Sequence, residues 1–109
     1  MTDIVFFTHA NSNTGFGHFS RCVNISKILK SKNRNLNISF SANCSEGMQS
    51  WTKKQIDVSF IKEVKQPKIA IYDRMDDIAD PSIVNVKLLE EIKKKSDHLV
   101  LFANGMKLP

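Results

Sequence analysis

Ile4-Val-Phe-Phe, closed by Thr8, is an apolar run without the in–out alternation of a half-exposed strand. A strand that is apolar on both faces must be covered on both, so this run predicts a strand inside a layered α/β structure rather than at its rim. The next residues agree with that. Asn11-Ser-Asn-Thr-Gly-Phe-Gly17 is rich in turn formers, and after it Phe19, Cys22, Ile25 and Leu29 recur at helical spacing. Val23 and Ile28 are expected to widen the apolar stripe, and the helix is expected to stop near Lys32-Asn33.

The rest of the chain repeats this alternation. Asn37-Ile-Ser-Phe-Ser-Ala42 reads as a second strand, and Ser45 as the cap of a short helix carrying Met48 and Trp51, the tryptophan serving core or lid packing. Val58-Ser-Phe-Ile61 and Lys68-Ile-Ala-Ile-Tyr72 read as third and fourth strands. Asp80-Pro81 resembles a helix start, with Val84, Leu88 and Ile92 on one face and Glu90–Lys94 and Glu91–Lys95 as exposed i,i+4 pairs. His98-Leu-Val-Leu-Phe102 is the fifth strand. Strands alternating with helices predict a doubly wound, mostly parallel sheet of about five strands in one domain spanning residues 1–109. The link between Ile61 and Lys68 does not fit easily. It has six residues, Pro67 among them, whereas a parallel crossover usually takes about a dozen or more. Either the third strand is irregular or antiparallel, or a stripped-down connection replaces the helix.

Composition narrows the function classes. The net charge of +5 favours anionic partners. Its sources are dispersed, however: Lys27, Lys30, Lys32 and Arg34 follow the first helix, and Lys93, Lys94 and Lys95 end the last. Cations at helix C-termini are what the macrodipole favours. With no basic motif interleaved by aromatics, specific nucleic-acid binding is not expected. No apolar run approaches the roughly 20 residues of a membrane span, and no basic segment leads into a long apolar one as in a secretory signal. Cys22 and Cys44 lack CxxC spacing and a companion ligand cluster. Buried free thiols in a reducing compartment, and hence a cytoplasmic protein without a metal centre, are the expectation.

The Thr8–His18 loop carries the chemistry. In an open parallel sheet, ligands bind beyond the carboxyl ends of the strands, where successive connections diverge. Gly15 and Gly17 let the backbone approach a ligand closely, and the helix behind them points N–H groups and a positive dipole end at the same space. Asn13 and Thr14, with Ser12, add amide and hydroxyl groups suited to an oxygen-rich, anionic ligand. His18 on the first helical turn is placed to act as a neutral imidazole taking a proton from a hydroxyl or a water. A histidine that only bonds nearby backbone is the alternative. Gly15-Phe-Gly17-His-Phe-Ser20 is not a dinucleotide fingerprint. Serine stands where the third small residue belongs, and Asn43 and Cys44 stand where the acidic partner is expected. No G-K-[ST] follows, so it is not a P-loop either. No cofactor is expected.

Thr14-Gly-Phe-Gly-His-Phe-Ser-Arg21-Cys22, just after a buried first strand, resembles the G-x-G-H-x-x-R opening of nucleotide-sugar enzymes of the GT-B architecture. These are the pseudaminic-acid pathway UDP-sugar hydrolases and the spore-coat polysaccharide glycosyltransferases. The resemblance implies a Rossmann-like N-terminal half of such an enzyme, binding the acceptor or sugar. A second domain or subunit would supply the nucleotide-binding half. It implies a water-orienting or base role for His18 and loop-forming roles for Gly15 and Gly17; with these, Asn13, Thr14, Phe16, Arg21 and Asp73 are expected to contact the sugar or its phosphate. Asp73 matches the aspartate that ends a later strand, but Met75 stands where the hydrolase has its tyrosine, and Tyr72 is out of place for that role. Arg21 is placed to reach the loop, an anion, or a carboxylate. Asp76 and Asp77 follow Asp73 and suit helix capping or a hard cation. His9 ends the first strand near the same place, and His98 is expected to be structural. A non-catalytic module that holds an anion or nucleotide on the same loop is the other function class open to this sequence.

Overall fold

The computed structural model describes residues 3–10, 17–62, 66–74 and 85–102. The chain runs β1 (Ile4–Ala10), α1 (Gly17–Lys32), β2 (Ile38–Cys44), α2 (Glu46–Gln55), β3 (Val58–Phe60), β4 (Ile69–Asp73), α3 (Val86–Lys95) and β5 (His98–Leu101). All strand pairs are parallel, in the order β3-β2-β1-β4-β5. This is the three-layer, Rossmann-like α/β fold expected. The apolar run lies at the centre, with Ile4, Val5, Phe6 and Phe7 buried on alternating faces.

Helix placement follows from handedness. Crossovers between parallel strands are right-handed, so helices joining strands added in one direction lie on one face, and those added in the other direction lie on the opposite face. Accordingly α1 and α2 cover Ile4, Phe6, Ile38, Phe40, Val58 and Ile71. Helix α3 covers Val5, Phe7, Ala70 and Tyr72 with Leu89 and Ile92. The aromatic centre of the first layer is Phe40, whose ring lies 5.2, 5.5 and 5.6 Å from those of Phe6, Phe19 and Phe60.

The short link proves to be the stripped-down connection. β3 is a parallel edge strand, extended by the Ile61 N–H donating to the Phe40 carbonyl. The chain then returns to β4 without a helix at 61–62 or 66–68, packing Ile61 against the α3 layer and burying Pro67.

Several local expectations change. Ile28 is 56% exposed and outside the core, whereas Ser26 is fully buried in its place. The Ser26 hydroxyl donates to the Cys22 carbonyl one turn back, which makes a small polar residue acceptable against the sheet. Trp51, expected to pack, is half exposed on α2. Ser45 caps α2 as expected, accepting from the Met48 N–H. The last helix begins at Val86 rather than near Asp80-Pro81. Asn85 is its cap, with its side-chain oxygen accepting from the Leu88 N–H. Asp80, Pro81 and Val84 lie outside the described residues. Leu89 joins Ile92 in the core, and of the two expected ion pairs Glu91–Lys95 forms, at 3.1 Å.

Candidate functional site

Strand order reverses direction at β1, which pairs with β2 on one side and β4 on the other. The helices that follow β1 and β4 lie on opposite faces, and in open parallel sheets ligands bind beyond the carboxyl ends of the strands at such a switch point. Asp73 closes β4 there, directly opposite Thr8 in the β1 register. Alternation along β4 puts Asp73 on the same face as Ile71, beneath α1, and turns Tyr72 to the α3 side.

Three residues of α1 converge on this carboxylate. His18 and Arg21 are three positions apart on a helix and so share a face. His18 Nδ1 lies 2.7 Å from Asp73 Oδ1. Arg21 grips the carboxylate side-on, Nε to Oδ2 at 2.5 Å and Nη2 to Oδ1 at 2.6 Å. The Cys22 Sγ lies 3.9 Å from Oδ2. The Asp73 side chain is fully buried, that of His18 is 12% exposed and that of Arg21 is 40% exposed. A carboxylate withdrawn from water this completely needs its charge matched, and the guanidinium does that. The hydrogen bond to Asp73 in turn raises the Arg21 pKa above its ordinary value, against the opposing effect of burial.

The protonation pattern follows from this geometry. Asp73 holds a guanidinium by two bonds and is therefore an acceptor-only carboxylate. His18 Nδ1 must be the donor in its 2.7 Å contact. That assigns the neutral ring its tautomer and leaves Nε2 as the nitrogen that can accept a proton, an arrangement suited to a general base. Arg21 places Nε and Nη2 on Asp73, so among the described residues it meets the carboxylate named among its expected partners.

Gly17 opens α1 beside His18. Among the described residues nothing lies within 4 Å of where a Cβ would sit. Asn13, Thr14, Gly15 and Phe16, expected to contact substrate, lie outside the described residues, as do Met75, Asp76 and Asp77. His9 is buried at the end of β1, where alternation turns it to the α3 face, opposite to Asp73. His98 is exposed. Phe102, which the sequence did not single out, stacks on Arg21 with the guanidinium carbon 4.6 Å from the ring centroid. Among the described residues no group of three or more His, Cys, Asp or Glu could hold a metal, and no helix is long and apolar enough to cross a membrane.

Both cysteines are free thiols, Cys22 buried and Cys44 half-buried. Burial, then the Asp73 charge, pushes Cys22 from the ordinary 9.0 up to about 12. Between those values the unfolded chain has released this proton and the folded one has not. Stability from this group is therefore fully present below pH 9 and falls as pH rises toward 12. Denaturant titrations above pH 9 are expected to show a downward slope of about one proton, ~1.4 kcal/mol per pH unit, that Cys22→Ala removes.

Against this geometry, comparison with known proteins is silent: no family model, curated protein or solved structure matches the chain.

Proposed function

We propose that the chain is the acceptor- or sugar-side half of a nucleotide-sugar enzyme, a glycosyltransferase or a nucleoside-diphosphate-sugar hydrolase, with His18 as its base. The observation that carries this reading is the buried Asp73 carboxylate at 2.7 Å from His18 Nδ1, at the point where the sheet's connections diverge. The G-x-G-H-x-x-R resemblance supplies the substrate class. Gly17, with no side chain of its own at the start of α1, is where a sugar or its phosphate would approach the backbone.

In this reading His18 Nε2 takes the proton of an acceptor hydroxyl or a water. The oxygen, left with its electron pair, bonds to the anomeric carbon, and the bond from that carbon to the nucleoside diphosphate breaks. Asp73 stabilises the imidazolium that forms, and Arg21 keeps the carboxylate ionised. The nucleotide-binding half comes from a second domain or a partner subunit. Two free thiols suit a cytoplasmic setting.

The test is turnover of UDP- and GDP-sugars by the chain joined to, or mixed with, that second half. His18→Asn is expected to lower turnover ~10²–10⁴-fold while leaving the fold intact, the range for loss of a general base. An unchanged rate in His18→Asn would remove the base assignment. If no nucleotide-binding half is encoded with or beside the chain and no nucleotide sugar is turned over, the whole reading falls.

A further inference from the structure

We infer that Arg21, braced by Phe102, is a positioning residue that holds the Asp73 carboxylate in the orientation from which it sets the His18 tautomer. The inference rests on the reading of His18 as the base and adds two residues that would not touch substrate.

The argument starts from what an aspartate cannot do alone. Its last torsion is broad, so the rotamer leaves the carboxylate plane undetermined and partners must set it. A guanidinium is a planar fork whose parallel N–H groups match both oxygens of a carboxylate. Arg21 uses that match, Nε on Oδ2 and Nη2 on Oδ1, which fixes the plane. Oδ1 is then presented to His18 Nδ1. A lysine in the same place would supply the charge without the plane.

Arg21 needs restraint of its own. Its side chain is 40% exposed, and an arginine carries about 2 kcal/mol of rotamer entropy. Phe102 supplies the restraint by stacking on the guanidinium. The ring is placed by the sheet. β5 pairs with β4 through Leu101 opposite Tyr72, and the Phe102 N–H donates to the Tyr72 carbonyl at 3.0 Å. One step beyond that pair, Phe102 is level with Asp73. The end of β5 is thereby tied through Arg21 and Asp73 to the imidazole.

The experiment reads the tautomer directly, without substrate. The whole chain, labelled with nitrogen-15, is examined by NMR in mildly alkaline buffer, and the two ring nitrogens of His18 are assigned. Predominance of the Nδ1–H form is expected in the native sequence. Arg21→Lys, which keeps the charge, and Phe102→Leu, which keeps an apolar side chain, should each lose that predominance to a mixture with the Nε2–H form, Arg21→Lys by more. A tautomer ratio unchanged in whichever of these variants keeps the native amide spectrum overturns the inference. So does a native sequence in which Nε2–H predominates. The two readings separate cleanly. A tautomer shift without nucleotide-sugar turnover retains the clamp and removes the function, whereas turnover that depends on His18 with an unmoved tautomer does the reverse.

Discussion

Phe40→Ala is expected to cost about 3–5 kcal/mol, the range for emptying a fully buried aromatic site. Phe40 is completely buried on β2 and touches the rings of Phe6, Phe19 and Phe60, so one truncation removes edge and tilted ring contacts from three directions. Those three neighbours sit on β1, α1 and β3, and no single one can move into the space without leaving its own element. Collapse is therefore limited, which places the cost toward the upper end. A domain of this length holds about 5–15 kcal/mol in total, so the variant should sit close to the edge of folding. Phe60→Ala, on a half-buried edge position, should lose less than half as much. Urea unfolding followed by circular dichroism would compare them. Equal losses for the two variants would mean that the core is not centred on Phe40.

The same strand shows how much of the fold could be read in advance. β1 is apolar without alternation and lies between two strands under two layers. β2 alternates, with Ile38, Phe40, Ala42 and Cys44 turned to the helices and Ser39, Ser41 and Asn43 to the other face. That pattern describes a strand with one polar face, and a polar face needs no crossover helix over it. The six-residue link and the serines of β2 therefore say the same thing, and together they resolve a connection that neither resolves alone. The α1 stripe misled at Ile28 because periodicity cannot register that Ser26 satisfies its own hydroxyl on the preceding turn. The start of α3 misled because Asn85, which the sequence reading did not weigh as a cap, is the residue whose side chain accepts from the Leu88 N–H.

The site was partly legible for a definite reason. His18 and Arg21 are close in sequence, and helical spacing alone places them on one face. Asp73 lies 52 residues beyond Arg21, and only the β1–β4 register brings it opposite Thr8 and under α1. Its inward direction could be read from Ile71, two positions earlier on the same face. Phe102 could not be found this way, because its role depends on β5 being the neighbour of β4, a fact of strand order that no local pattern carries.

Asp73→Asn is expected to have the second large effect, since it removes the charge and leaves the shape. An amide offers one accepting oxygen. With that oxygen toward Arg21 Nε, the amide nitrogen faces Nη2–H and His18. With the oxygen the other way, it faces Nε–H. Either way one arm of the fork meets a donor, and arginine does not release its proton to relieve the clash. Hydrogen bonds to charged groups are worth about 1.5–3 kcal/mol. Arg21 is 40% exposed and can turn its head to water, which sets the stability loss near the lower figure, about 2 kcal/mol. The chemical loss is larger. In the first amide orientation His18 is driven to accept at Nδ1 and carry its proton on Nε2, the wrong tautomer for a base. In a Ser–His–Asp triad the equivalent change costs ~10⁴-fold. Turnover of nucleotide sugars by Asp73→Asn should accordingly fall by ~10²–10⁴-fold, as for His18→Asn, and the double variant should fall little further, because the two residues act as one unit. Losses that multiply in the double variant would mean that Asp73 serves the fold and not the base.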